Sequence, residues 1–183
     1  MNSVFTPEQL AELVRRAAAG ELDPGIVLGI RQQPQAPSVP MFEVTAVIDY
    51  GQTLEQHVAN GRAIDYASKN LTSRNFPRPS GLNGVVISDY VILGPYRRTV
   101  SNDEVLSDAA LLGLYRPISE ETLVVGRTHP DLVFVGLVEK PWLGPRGYRR
   151  VPVVIEGEAH LVWFDRDWCG HYSFLFRKSA LGS

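Results

Sequence analysis

The sequence predicts a single α+β domain, residues 1–183, with a mainly antiparallel sheet and about three helices. Three observations lead there. Helix-start signals stand at Thr6, Thr53 and Ser101, all in the first part of the chain. Apolar and alternating runs of strand length crowd the second part and are joined by short turns. Helices and strands do not alternate as a series of βαβ units would require.

The first helix is marked by Thr6 at the N-cap, Pro7 at the first helical position and Gln9 closing a capping box. Phe5 and Leu10 take the staple positions. Leu10, Leu13, Val14, Ala17 and Ala18 form one apolar stripe, and Gly20 ends the helix. Ile26–Ile30 reads as a short buried strand. Gln32 to Pro40 carries three prolines (QQPQAPSVP) and reads as an extended surface loop.

Phe42–Tyr50 alternates. Phe42, Val44, Ala46, Ile48 and Tyr50 share one face, and Glu43, Thr45 and Asp49 the other, as in a half-buried strand. Thr53 with Gln56 starts a helix that runs to about Leu71 across the weak point at Gly61. Thr72–Gly84 is turn-rich loop, and Val85–Leu93 a strand. Ser101 with Glu104 forms another capping box, stapled by Val100 and Val105, on a helix that stops at Gly113.

The remainder is mainly β. Leu123–Val125 and Leu132–Val138 are expected strands. Tyr148–Ile155 and Ala159–Asp165 read as a hairpin around Glu156-Gly157-Glu158. His171–Arg177 alternates, with Tyr172, Phe174 and Phe176 on one face.

Composition bounds the function. Hydrophobic content of 44% and charged content of 21% suit a folded globular chain that needs no staples. A formal net charge of −2 gives no global positive field, which disfavours nucleic acid as a partner. One cysteine makes no internal disulfide. The N-terminus shows no secretory leader, and no apolar run is long enough to span a bilayer. The expected compartment is the cytoplasm, with no membrane partner.

Residues 142–177 carry the chemically able side chains: Trp142, Trp163, Trp168, Cys169, His160 and His171. Arg146, Tyr148, Arg149 and Arg150 follow Trp142 within nine residues, among Gly144, Pro145 and Gly147. Arginine with aromatics is the composition of interface hot spots, because both types gain most when they are desolvated. The expected function is therefore non-catalytic binding of another protein with an acidic surface, as an immunity-type protein, an inhibitor or an accessory assembly subunit would do it. Trp142, Arg146, Tyr148, Arg149 and Arg150 are the expected contacts. The enzymatic alternative is a small hydrolase or transferase using Cys169 with His171 or His160. A further alternative is a nucleotide or nucleic-acid module on the same arginine loop. Glu156, Glu158 and His160 have period-two spacing that could ligate a cation. Gly157 instead puts the glutamates in a turn, so no metal is expected. No phosphate loop, dinucleotide fingerprint, zinc spacing or serine elbow is present, and no cofactor is expected.

Overall fold

The computed structural model describes Glu12, Arg15, Arg16, Ala19, Gly20 and residues 39–181. The expected Thr6 cap, the Ile26–Ile30 strand and residues 32–38 of the proline-rich loop lie outside the described residues. Glu12, Arg15 and Arg16 are helical, and Gly20 follows with φ 74°. The chain divides into two compact units, 1–36 and 37–183.

In the second unit the elements run in the order β1 (Met41–Asp49), α1 (Leu54–Ala59), β2 (Arg62–Ala63), α2 (Asp65–Asn70), β3 (Val85–Leu93) and α3 (Asn102–Leu111). Then come α4 (Ser119–Thr128), β4 (Phe134–Gly136), β5 (Trp142–Leu143), β6 (Arg149–Ile155), β7 (Glu158–Trp163) and β8 (Phe174–Arg177). The strands form one eight-stranded sheet in the order β1-β3-β8-β4-β6-β7-β2, with β5 paired to β6.

This sheet is mixed. β8 lies parallel to β4, and β2 lies parallel to β7, while the β1–β3, β3–β8 and β6–β7 pairs are antiparallel. The expected mainly antiparallel sheet with three helices gives way to a mixed sheet with four helices among residues 39–181. The reason lies in β8. All four of its residues are buried, so it is covered on both faces and belongs at the centre of the sheet. Phe174 and Phe176 enter one core cluster with Val135, Val153, Leu54 and Val105. Leu175 enters the other, with Ile48, Ile92, Phe134 and Val125. Inserting the last strand between β3 and β4 satisfies both faces and makes the β4–β8 pair parallel.

Two helical expectations are corrected. The predicted helix from Thr53 to Leu71 is two short helices parted by β2. The capping box is present: Thr53 Oγ1 accepts from Gln56 N, and Gln56 Oε1 accepts from Thr53 N. The break falls at Asn60–Gly61, just before Arg62 and Ala63 of β2 pair with β7. Leu123–Val125, predicted as a strand, lies inside α4. Three consecutive apolar residues suited a strand, but Glu120 and Glu121 occupy the first turn after Pro117, where carboxylates favour a helix N-terminus. Glu121 also accepts the Ile118 N–H at 2.9 Å. Because residues 119–126 are buried on all sides, α4 shows no amphipathic stripe.

Val85–Leu93 and the α3 start match the sequence reading. At Ser101 the box is half made: Ser101 Oγ accepts from Glu104 N, while the Glu104 carboxylate turns to Arg98. The expected β6–β7 hairpin forms, but its turn is two residues and not three: Glu156 at φ 50° and Gly157 at φ 73° make a type I′ turn, and Glu158 is the first residue of β7, paired with Ile155. In β1 the expected face is buried only from Ala46 onward. Phe42 is exposed, because β1 is the sheet edge and its first residues have little above them.

Candidate arginine–aromatic surface

β5 and β6 form a small hairpin that turns at Pro145–Gly147. Gly144 N donates to Tyr148 O at 3.0 Å, and Gly147 N to Gly144 O at 2.9 Å. Gly147 takes φ 79°, which only glycine adopts without strain. Register then sets three side chains abreast: Trp142 opposite Arg150, and Arg150 opposite Trp163. Tyr148 stacks on Trp163 with centroids 5.3 Å apart, and both rings remain about half exposed, at 51% and 50%. The Arg150 guanidinium lies 5.0 Å from the ring centroid of Tyr66 on α2. Tyr66, Gly144, Pro145, Arg146, Tyr148 and Arg150 line an open cleft of about 280 Å³.

The five expected contact residues are thus divided between two roles. Arg146, Tyr148 and Arg150 share the cleft. Trp142 is half-buried and packs its ring on Phe76 at 6.5 Å, so it supports the surface from beneath. Arg149 points the other way. It pairs with Asp165, with Nε 3.0 Å from Oδ2, and covers the Phe164 ring at 4.8 Å. That hydrogen bond holds the Asp165 carboxyl below its usual range. Two residues that sequence reasoning did not select complete the surface. Tyr66 arrives from a distant helix and Trp163 from the facing strand. Trp163 had a partial signal: the hairpin was legible, but Trp163 falls opposite Arg150 only because the turn is two residues long and not the expected three. Tyr66 had none.

The alternative catalytic residues are not gathered. Cys169 is exposed, and among the described residues its side chain makes no hydrogen bond to a histidine. His171 stacks on Tyr172 at 4.7 Å. His160 lies on β7, with Nε2 4.0 Å from Glu158 Oε2. Glu158 itself pairs with Arg62 at 2.5 Å. No group of three or more acidic, histidine or cysteine side chains positioned for a metal ion occurs among the described residues. Trp168, by contrast, is fully buried and donates from Nε1 to Asn102 Oδ1 at 2.8 Å.

A second polar assembly, invisible in the sequence, surrounds the start of α4. Glu121 is buried and accepts from Tyr50 Oη at 2.5 Å, while Arg177 Nε stands 3.0 Å from its Oε1. Burial pushes the Glu121 carboxyl up, against the opposing pull of Arg177, and pushes the Tyr50 phenol well above its usual range. Glu120 is also buried and pairs with Arg78 at 3.0 Å. The Arg78 guanidinium further donates to the carbonyls of Tyr50 and Gln52. Successive glutamates in a first turn read as a solvated helix start, and only packing shows that both are enclosed.

No protein-family model, curated protein or solved structure matches the chain. Among the described residues, no helix is long and apolar enough to cross a membrane.

Proposed function

We propose that this protein acts by binding another protein through the surface formed by Tyr66, Arg146, Tyr148, Arg150 and Trp163, and that the partner face is acidic. The observation that carries this reading is the half-exposed Tyr148–Trp163 stack beside two guanidinium groups. Stacked rings on a hairpin are already ordered, so little side-chain entropy is lost on docking. Among the described residues Arg146 and Arg150 have no carboxylate partner, whereas Arg149, Arg98 and Arg62 do. Uncompensated arginines beside exposed rings suit carboxylates on a partner, which they bind in fork geometry. The net charge of −2 makes this a local positive feature on a mildly acidic chain, which favours a protein face over a polyanion.

The test is affinity capture from the native host with matched baits. Wild-type protein should retain a specific protein after nuclease treatment. Arg146→Glu with Arg150→Glu should release it, and Tyr148→Ala or Trp163→Ala should weaken it by about 30-fold, the loss of about 2 kcal/mol that hot-spot truncation gives. Melting temperatures of the variants should stay near the wild-type value. Retention of the same partners by all four substitutions would reject this surface. Capture that depends on nucleic acid would replace the protein partner with a nucleotide or nucleic-acid one.

A further inference from the structure

The mouth of a second cavity, of about 220 Å³, opens where the Phe76–Pro79 loop meets the start of α4 and residues 138–140. Its walls are Phe76, Pro77, Pro79, Pro117, Ile118 and Val138; its polar lining is Arg78, Ser119, Glu120, Glu139 and Lys140. Ser119 and Glu120 are 2% and 1% exposed. Among the described residues, Ser119 Oγ and Glu120 Oε2 have no hydrogen-bond partner. A buried carboxylate oxygen left unpaired is costly, because neither water nor protein replaces its lost hydration.

The local geometry explains why the carboxylate stays there. Arg78 grips the other oxygen, Oε1, at 3.0 Å and is itself fixed by two backbone carbonyls and by the Tyr50 ring at 5.6 Å. Oε2 is therefore held in place, buried and without a partner among the described residues. The prolines on the walls present rings without N–H groups, so apolar surface stands beside the two residues that carry unpartnered oxygens, Ser119 and Glu120. Glu139 and Lys140 are exposed at the mouth, where solvent screens them.

We infer that this cavity is a binding site for a small primary amine, whose ammonium group donates to Glu120 Oε2 and Ser119 Oγ while its apolar body lies against Phe76, Pro77 and Val138. An ammonium offers three donors to two acceptors and forms a charge-assisted bond to the carboxylate. An anion at Oε2 and Oγ would face the Glu120 carboxylate, while Arg78 is committed to Oε1 and two backbone carbonyls and Lys140 is exposed to solvent. The volume equals that of roughly seven waters, which suits a compact ligand.

Three probes of one shape test it: isopentylamine, isopentanol and isovalerate, titrated into ¹⁵N-labelled protein. Isopentylamine should shift the amide resonances of Ser119, Glu120 and Val138 saturably, with Kd of about 1 mM or tighter for so few atoms. Isopentanol should bind at least 10-fold more weakly, and isovalerate should leave these resonances unmoved. Ser119→Ala should weaken amine binding several-fold, and Glu120→Gln should remove it. If Glu120→Gln fails to fold, the ranking of the three probes and Ser119→Ala decide alone. Equal binding of amine and alcohol, preference for isovalerate, or no saturable shift with any probe would overturn the assignment. The last result would mean that water alone meets the two acceptors.

Discussion

Ser101 and Thr53 show how much a single side chain can decide. Each accepts a backbone N–H at the start of its helix, and each was identifiable from sequence because capping chemistry is local. Ser101→Ala and Thr53→Ala should each cost about 1 kcal/mol, read from thermal or urea unfolding. Glu121 lies at the opposite extreme. Its folded-state acidity is weakened by burial, so its proton is bound more tightly in the folded chain than in the unfolded one. The stabilisation from that proton is complete below the unfolded value near 4.5 and is lost as pH rises through the higher folded value. Stability of wild type relative to Glu121→Gln should therefore decline from acid toward neutral pH, as urea titrations at several pH values would measure. A rising difference would show that Arg177 outweighs the burial of Glu121.

Between elements, α4 lies hard against the sheet at two glycines. A Cβ on Gly126 would fall 2.5 Å from the Val154 methyls, and one on Gly136 would fall 2.2 Å from Thr122 Oγ1. Both glycines are needed because the helix and strands touch there without room for a methyl group. Gly126→Ala and Gly136→Ala should each destabilise by about 1–3 kcal/mol, the usual cost of overpacking, whereas the exposed Gly81 is not held by any such contact. Calorimetric melting of the two variants checks this. The same packing accounts for the misread helix. Leu123, Val124 and Val125 are helical because Gly126 lets α4 lie on β6, and sequence shows the glycine without showing what it faces. The Arg150–Trp163 pair follows the opposite rule. It rests on a local turn, the two residues Glu156 and Gly157; the sequence marks a turn at Glu156-Gly157-Glu158, and the three-residue reading puts Phe164, not Trp163, opposite Arg150.

For the molecule as a whole, the described sheet and both core clusters are built within residues 37–183. A chain of this length, close to 150 residues, buries about two-thirds of its unfolded surface. A protein beginning at Pro37 should therefore fold by itself with one cooperative melting transition. A non-cooperative melt by circular dichroism would show that residues 1–36 are required.

Sequence by itself determined what depends on near neighbours: the caps at Thr53 and Ser101, the strands β1 and β3, the β6–β7 hairpin and the composition of the arginine loop. Each rests on period, turn chemistry or a hydrogen bond spanning a few residues. Tertiary structure alone decided the central place of β8, the parallel β4–β8 pair, the burial of Glu120 and Glu121, and the arrival of Tyr66 beside Arg150. These depend on which distant surfaces meet, and that is set by covering two sheet faces at once. A strand's apolar pattern states that it must be buried, but the identity of the element that buries it is a property of the assembled chain.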